Sequence, residues 1–335
     1  MANSSSNSHA LSDALVTVFG GGGFIGNYVV QNLLSRGARV RIASRNPSSG
    51  FALKPLANLG QLQFAHCDIT KDDSLTAALH GATHVVNLVG GFSGDLTELM
   101  GDAPGRMAAI AKANGTKAFV HISAIGPDAD SSAEYARGKA LGEARVLEAF
   151  PSATILRPSI VFGKDDGFLN MFGGMIEMLP VLPVFGPDAK LQLVYVDDVA
   201  DAVVVALESP SSHGGHIYEL GGPEQLTMMQ INQRIAAAQG RDRRFIAMPD
   251  GLSSVFASLP GTPMSKDQWA LLRPGSTVSD GALTFADLGI EPRALGLFLD
   301  KWMTRYRKFG RFGLSNERSK ARESAASAPI SAPPT

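Results

Sequence analysis

The sequence predicts an α/β fold in which a doubly wound parallel sheet is followed by a small C-terminal substrate lobe. Strand-like and helix-like segments alternate through the first half of the 335 residues, as expected for a parallel sheet with helices on both faces. A run of four glycines joins the first strand to the first helix. The second half is less regular, and residues 163–187 are rich in Gly, Pro, Met and Phe. We therefore assign this later region to the substrate lobe.

The glycine run lies between a predicted strand, Leu15–Phe19, and a helical pattern that begins at Phe24. It fits G-x-G-x-x-G from Gly21 and G-x-x-G-x-x-G from Gly20. Positions without side chains let a phosphate approach the backbone, and the free N–H groups of the helix start attract an anion. The alternative is a glycine-rich turn that binds nothing. We favour a site for a dinucleotide pyrophosphate, formed by Gly20, Gly22, Gly23, Phe24, Ile25 and Gly26.

Further strands and helices complete the predicted sheet domain. The strands are Ala38–Ala43, Gln61–Ala65, His84–Val89, Ala118–Ile122 and Thr154–Leu156, and the helices between them include Ser74–Leu79, Gly105–Ala113 and Tyr135–Phe150. This order is typical of a Rossmann sheet. Later in the chain, Val194–Asp198 and the helix after it are expected to return to the sheet domain, and His216–Leu220 to add one more strand. Helices are predicted over Thr227–Gln239 and Ser265–Leu272.

The domain limits follow from these elements. We expect a disordered lead over 1–13, an NAD(P)-binding domain over 14–162 to which 191–220 return, a substrate lobe from 163–190 and 221–300, and a basic helix end with a disordered tail over 301–335. Apolar residues recur at helical spacing from Leu295 to Phe309, and seven basic residues against one acid lie between Arg305 and Arg322. Such a helix can lie on an anionic membrane surface. It can also pack on the core with a solvated basic tail, which the apolar stripe favours.

Composition excludes several classes of protein. The formal net charge of −1 gives no reason to expect a nucleic-acid partner. The single cysteine, Cys67, excludes an internal disulfide and a multi-cysteine metal site, and we assign no metal ligands. No apolar run approaches the ~18 residues of a transmembrane segment, and the N-terminus does not resemble a secretory signal. We expect a cytoplasmic protein.

The residues after the second strand predict which dinucleotide is bound. An acid about 20 residues beyond the glycines would bind the ribose 2′-hydroxyl of NAD, but Ser44 and Arg45 occupy that position and no acid lies between Ser35 and Gln63. An arginine can pair with a 2′-phosphate, a contact worth roughly 1.5–3 kcal/mol, or about a 10- to 150-fold preference. We therefore predict NADP(H) over NAD(H). Asp68 can accept a hydrogen bond from the adenine amino group or cap the next helix.

Tyr135 and Lys139 form a Y-x-x-x-K pair at the start of a predicted helix. A spacing of four places both side chains on one helix face. An ammonium lowers the pKa of a nearby phenol, and such a tyrosine can donate or accept the proton that accompanies hydride transfer to a carbonyl. The lysine can also hold the nicotinamide ribose. We predict that both residues contact the cofactor and carry the chemistry.

At this point the chain resembles the atypical and extended short-chain dehydrogenase/reductases. The matching pieces are GGGGFIG at 20–26, Asp68, NLVG at 87–90, HISAIG at 121–126, YARGK at 135–139, RPSIVFG at 157–163 and VYVDDVA at 194–200. The chain is most similar to the nucleotide-binding accessory subunit of respiratory complex I and its bacterial relatives. Three segments carry that closer likeness over roughly residues 14–300: LGQLQFAHCDITKDDSL at 59–75, FLNMF at 168–172 and SSAEYARGKALGE.

The resemblance implies roles for particular residues. Tyr135 and Lys139 match the family's catalytic pair, and Asp197 and Asp198 would be structural. The family's serine or threonine after the fifth strand aligns with Ala124, so Ser123 would be a partial oxyanion partner. The resemblance also implies cofactor contacts from the glycine run, Arg45, Leu88, Val89, Gly90 and Pro158.

Two main functions remain open. The first is an oxidoreductase that reduces a carbonyl or oxidises an alcohol with NADP(H), on a small substrate that resembles a quinone or isoprenoid. The second is an accessory or assembly module that holds NADPH and docks on complex I or another membrane-associated assembly, peripheral on the inner face of the membrane. A nucleotide-sugar epimerase or dehydratase is a weaker third alternative, because Arg45 replaces the acid that would bind NAD.

Overall fold

The computed structural model describes residues 10–257, 264–308 and 310, and a seven-stranded parallel sheet lies at its centre. The strands of the chain are β1 Leu15–Phe19, β2 Arg39–Ser44, β3 Leu62–His66, β4 His84–Asn87, β5 Ala118–Ile122, β6 Thr154–Pro158, β7 Val161–Phe162, β8 Val181–Phe185, β9 Lys190–Leu191, β10 Val194–Tyr195, β11 Ile217–Leu220, β12 Leu226–Thr227 and β13 Arg244–Met248. The central sheet has the order β11-β6-β5-β4-β1-β2-β3. The predicted doubly wound α/β fold is therefore confirmed.

Helices α1, α2, α3, α4 and α6 cover the two faces of this sheet. The helices of the described residues are α1 Phe24–Ser35, α2 Asp72–Leu79, α3 Ala103–Ala113, α4 Glu134–Ala149, α5 Gly167–Met178, α6 Val196–Glu208, α7 Pro210–His213, α8 Met228–Ala238, α9 Asp250–Ala257, α10 Lys266–Leu272 and α11 Leu299–Met303. The side chains of β5 enter two different parts of the core, because successive side chains of a strand point to opposite faces of the sheet. Phe119 packs in the cluster with α2, α3 and α4, and Val120 packs in the cluster with α1 and α6.

Strand β1 pairs with β2 on one side and β4 on the other, both in parallel. All five of its residues are buried, as is typical of a strand covered on both faces. The chain moves outward in opposite directions from β1, through β2 and β3 on one side and through β4, β5 and β6 on the other. Ligands of such sheets bind beyond the carboxyl ends of the strands where this reversal occurs, which is where the glycine run lies.

The second half adds one strand to the central sheet and builds the lobe. Strand β11 pairs in parallel with β6, as expected for His216–Leu220. In the lobe, β8 and β13 form a two-stranded parallel sheet, and α5, α8 and α11 enclose a separate apolar cluster. Neither α5 nor the 3₁₀ helix Pro47–Leu56 was predicted from the sequence. In the 3₁₀ helix, two prolines and a glycine obscure the helical period.

The ends of the chain differ from the prediction. Leu11 lies within the predicted disordered lead 1–13, yet it is 1% exposed and packs in the central core. The helical pattern from Leu295 to Phe309 is divided into two 3₁₀ turns on either side of the short α11. Phe309 and the tail from residue 311 onward lie outside the described residues, as do residues 1–9. Among the described ranges, no helix has both the length and the apolar character needed to cross a membrane.

Candidate functional site

The glycine run forms a tight turn at the end of β1. Gly20 has a φ of +79°, which side chains rarely allow, and its N–H donates to Ala43 O. A Cβ on Gly26 would lie 2.3 Å from Gly20 O and 2.7 Å from the Gly21 carbonyl carbon. Gly26 thus allows α1 to pack directly against the turn, and Gly20 allows the turn itself.

The start of α1 is open to an anion. Gly23 is the N-cap residue, no side chain caps the helix, and its first turn contains no acid. Gly23 is exposed, and the turn lies at the switch point of the sheet. An uncapped helix start without acids fits a pyrophosphate. Phe24 and Ile25 belong to this first turn, so the predicted pyrophosphate residues are brought together.

The end of β2 lies beside this turn. Arg45 is exposed, and the hydroxyl of Ser44 is buried without a hydrogen-bond partner among the described residues. The chain then enters the 3₁₀ helix, where Ser49 lies so close to the turn that a Cβ on Gly22 would be 2.2 Å from Ser49 Oγ. A cation and an unpartnered hydroxyl at this position fit the adenosine end of a dinucleotide.

Asp68 has a local role that sequence reasoning left undecided. Its Oδ1 accepts hydrogen bonds from the Thr70 backbone N–H and the Thr70 hydroxyl, at 3.1 and 2.9 Å. These bonds lower the pKa of the Asp68 carboxyl, and the charges of Lys71 and Arg45 contribute less. Lys71, not Asp68, occupies the N-cap position of α2. Asp68 therefore stabilises the turn that leads into that helix.

The end of β4 forms the other wall of the cleft. The Leu88 N–H donates to Phe19 O, and the Leu88 backbone would lie 3.4 Å from a Cβ on Gly20. The loop then passes α4, since a Cβ on Gly90 would lie 3.3 Å from Lys139 Nζ. The predicted strand His84–Val89 ends earlier, at Asn87, whose side-chain Oδ1 accepts from the Val89 N–H at 3.0 Å.

Tyr135 and Lys139 lie on one face of α4, as their spacing predicts. Lys139 Nζ is 5.9 Å from the centre of the Tyr135 ring and donates to Ile122 O at 2.9 Å. Burial raises the pKa of the Tyr135 hydroxyl to about 12. The residue as a whole is only half-buried when its solvent-accessible area is considered. Burial also lowers the pKa of Lys139 to about 8, with the Glu143 charge acting in the opposite direction. The expected lowering of the tyrosine pKa by the lysine is therefore outweighed by desolvation.

Ser123 and Ala124 differ in exposure. Ser123 is 3% exposed and its hydroxyl has no partner among the described residues, whereas Ala124 is half-exposed. The Ser123 N–H and the Ile125 N–H both pair with β6, the second of them with Pro158 O at 3.1 Å. Ala124 is thus partly accessible to solvent while Ser123 lies inside the protein. Pro158 is buried at the end of β6, beside the loop that carries both residues.

Two neighbours of this pair were not found in the sequence. Phe92 is 56% exposed and stacks on Tyr135, with ring centres 4.6 Å apart and planes 19° apart. His121 is fully buried on β5, and its Nδ1 is 3.0 Å from Asn87 Nδ2. The resemblance implied cofactor contacts from Leu88, Val89 and Gly90 in the loop after β4, but it did not indicate which aromatic ring would cover Tyr135. The HISAIG segment contained His121, but a lone histidine in a strand is usually a core residue.

The two acids after β10 have the structural role that the resemblance implies. Arg293 pairs with Asp198, which is 1% exposed, and with the more exposed Asp197 and Asp201. These ion pairs join the start of α6 to the C-terminal segment, away from the Tyr135–Lys139 pair.

Comparisons with known proteins agree with this geometry. The family model for the NAD dependent epimerase/dehydratase family matches residues 16–221. The chain is 32% identical over 321 residues to NADH dehydrogenase (ubiquinone) 1 alpha subcomplex subunit 9, mitochondrial, of Arabidopsis thaliana, covering 90% of this chain and 80% of the relative. The protein of the same name from Mus musculus is 30% identical over 313 residues, covering 90% and 82%.

A solved structure supports the same fold. The NADPH-dependent quinone oxidoreductase of Escherichia coli, complexed with NADPH, superposes with a TM-score of 0.67 at 20% identity, covering 85% of this chain and 99% of that one. Together with the glycine turn and the parallel sheet, the match to 16–221 establishes the classification. The chain belongs to the NAD dependent epimerase/dehydratase family.

Proposed function

We propose that this protein holds NADP(H) in the cleft between the glycine turn and α4 and serves as an accessory or assembly subunit of a complex I type respiratory enzyme. The observation that carries the accessory role is the state of the Tyr135–Lys139 pair. Lys139 donates to Ile122 O, and the pKa of Tyr135 is raised by burial. The names of the relatives at 30–32% identity support the choice of assembly.

The chain's own residues favour retention of the cofactor over rapid turnover. A general acid works best when its pKa lies near the working pH, and a phenol with a pKa of about 12 is a poor donor of this kind. Ala124 offers no hydroxyl to a substrate, and the Ser123 hydroxyl is buried. Bound NADPH would supply a hydride, but no described group stands ready to protonate a substrate oxygen beside it.

The preference for NADP(H) is part of this proposal and rests on Arg45. Its exposed guanidinium supports a contact with the 2′-phosphate. We expect Arg45→Glu to weaken NADPH binding by about 10- to 150-fold and to affect NADH binding much less, as measured by calorimetry. Arg39→Glu, the same change at an exposed position at the other end of β2, is the control. Equal NADPH affinity in both variants would show that Arg45 does not select the cofactor.

The accessory role is tested with Tyr135→Phe. This change removes the candidate acid but keeps the ring that stacks on Phe92. We expect purified wild-type protein and Tyr135→Phe to carry about one NADPH per chain, and we expect the variant to support respiratory NADH dehydrogenase assembly as wild type does. Mass spectrometry of bound nucleotide and of co-purifying proteins provides both readouts. Protein free of nucleotide, or without respiratory subunits, would contradict the proposal.

An oxidoreductase is the second candidate, and the Y-x-x-x-K pair on one face of α4 favours it. The quinone oxidoreductase of similar fold makes a quinone-like substrate worth testing, alongside isoprenoid carbonyls. If this candidate is correct, wild-type protein turns over a carbonyl or quinone with NADPH, and Tyr135→Phe loses several orders of magnitude in rate. A nucleotide-sugar epimerase stays the weakest alternative because Arg45 stands where an acid would bind NAD.

The proposed location follows from the proposed partner. An accessory subunit of a respiratory enzyme would be peripheral on the inner, cytoplasmic face of the membrane. The predicted basic tail, most of which lies outside the described residues, would then contact the assembly or anionic lipid. Fractionation of cells with and without the assembled respiratory enzyme tests this location, because the protein should leave the membrane fraction when the enzyme is absent.

A further inference from the structure

Two buried polar atoms without partners lie on one face of β5 and its extension. His121 is fully buried and Ser123 is 3% exposed. Neither His121 Nε2 nor Ser123 Oγ has a hydrogen-bond partner among the described residues. Residues two apart in a strand point to the same side, here toward α4. An unpaired buried polar atom costs about 1–3 kcal/mol, so two on one side require an explanation.

The hydrogen bonds around His121 define its chemical form. The Val89 N–H donates to Asn87 Oδ1 at 3.0 Å, so the Asn87 amide presents its Nδ2 to His121 Nδ1, also at 3.0 Å. Nδ1 therefore accepts, and Nε2 carries the proton. Burial, followed by the Lys139 charge, lowers the pKa of His121 to about 3, so the ring is neutral at physiological pH. The side chain presents a fixed N–H donor to the space beside α4.

Lys139 faces the same space. It is 3% exposed, and among the described residues Ile122 O is the hydrogen-bond acceptor of its Nζ. Gly142, one turn further along α4, lies close to this histidine, since a Cβ there would overlap Met100 O and lie 3.7 Å from His121 Nε2. The other charges close to this region are Glu143 of α4 and Arg157 of β6, which are paired with each other at 2.6 Å. Lys139 is therefore the positive charge that acts on His121.

We propose that His121, Ser123 and Lys139 enclose one ordered water molecule and that His121 is a positioning residue for the Lys139 ammonium. The water accepts from His121 Nε2–H and from Lys139 Nζ–H and donates to Ser123 Oγ. This satisfies both orphaned atoms, and buried waters commonly make about three such bonds. The consequence for cofactor binding rests on the proposed function, whereas the water and its effect on Lys139 do not.

The pKa of Lys139 provides the test. It is measured by NMR of full-length protein with ¹³C-labelled lysine, and Lys139→Arg identifies the signal. Loss of one hydrogen bond to a charged group, roughly 1.5–3 kcal/mol, corresponds to a fall of about one to two pKa units. We expect this fall in both His121→Phe and Ser123→Ala, because each variant loses the water. His121→Gln keeps an N–H donor, so the pKa of Lys139 should fall less in this variant than in His121→Phe.

His84→Phe is the matched control. His84 is also buried, at 7% exposure, but lies on β4 with its Nδ1 2.9 Å from Thr83 Oγ1. A structural role alone would lower the stability of both phenylalanine variants and leave the pKa of Lys139 unchanged. That result would overturn the proposal. If His121→Phe fails to fold, Ser123→Ala and His121→Gln decide the same question.

A crystal structure supplies the second readout. We expect a water peak within hydrogen-bond distance of His121 Nε2, Ser123 Oγ and Lys139 Nζ in the wild type and its loss in Ser123→Ala. An empty space in the wild type would refute the water. If the peak and the pKa shift are found but NADPH does not bind, the water site stands and the proposed cofactor role fails.

Discussion

Individual buried residues are the least predictable features of this protein. The spacing of Tyr135 and Lys139 was sufficient to place both on one face of α4, because helix geometry is local. It could not reveal that burial would raise the pKa of Tyr135 to about 12, since that depends on how the loop carrying Phe92 folds over the ring. The tautomer of His121 could not be predicted for the same reason, because it is set by the side-chain amide of Asn87 on another strand.

Two buried histidines should make the protein sensitive to acid. Burial is the main cause that lowers the pKa of His84 to about 4 and of His121 to about 3, and the Lys117 and Lys139 charges add to it. The unfolded chain binds these protons near pH 6.5 and the folded chain does not, so stability is full above that pH and decreases as the pH falls below it. At pH 5 the loss is about 2 kcal/mol from each histidine.

Urea unfolding at pH 7 and pH 5 measures this loss. Between pH 7 and pH 5, the free energy of unfolding of His84→Phe and of His121→Phe should each fall by about 2 kcal/mol less than that of the wild type. This difference does not depend on how stable each variant is at pH 7. An identical loss in wild type and both variants would mean that neither histidine is neutral in the folded protein.

At the level of elements, the regular strands were predicted to within a few residues. The strand β5 was predicted with its observed bounds because five buried residues between a lysine and a polar loop leave little choice. The C-terminal pattern failed because side chains at helical spacing can also pack from 3₁₀ turns. Phe298, Trp302 and Tyr306 all contact the lobe core in this broken form.

Gly26→Ala tests the packing of α1 on the glycine turn. The added methyl would lie 2.3 Å from Gly20 O, so the helix must shift and the N–H groups of its first turn move away from the phosphate position. We expect loss of bound nucleotide and a fall of about 1–3 kcal/mol in the free energy of unfolding. Gly174→Ala, in open space within α5, should instead gain up to about 1 kcal/mol. Full nucleotide content in Gly26→Ala would contradict the assigned role of the turn.

In the whole molecule, one half-buried arginine connects segments that are far apart in the sequence. Arg157 of β6 pairs with Glu143 of α4 at 2.6 Å and with Glu219 of β11 at 3.4 Å. Glu219 in turn accepts from the Ser279 N–H of the C-terminal segment at 2.8 Å. The resemblance included Arg157 in the matching segment RPSIVFG at 157–163. It did not reveal these partners, because they come from three distant parts of the chain.

We expect Arg157→Ala to lower the free energy of unfolding by about 3–5 kcal/mol, because it leaves two buried carboxylates without a counter-charge. Arg273→Ala, which breaks an exposed pair with Asp250, should change it by less than about 1 kcal/mol. Urea unfolding of both variants measures the difference. Equal effects would mean that the Arg157 pairs are no more important than surface contacts.

The arginines at the C-terminal end have a consequence for salt dependence. Arg305 donates to Lys164 O and Asn170, and Arg307 donates to Ala238 O at 2.8 Å. These two guanidinium groups hold the segment onto the lobe and keep their positive charges, because carbonyl oxygens accept hydrogen bonds without neutralising them. Since each cation near an anionic bilayer adds about 1 kcal/mol, adsorption to acidic vesicles should weaken as the ionic strength rises, with these two charges fixed in place on the lobe.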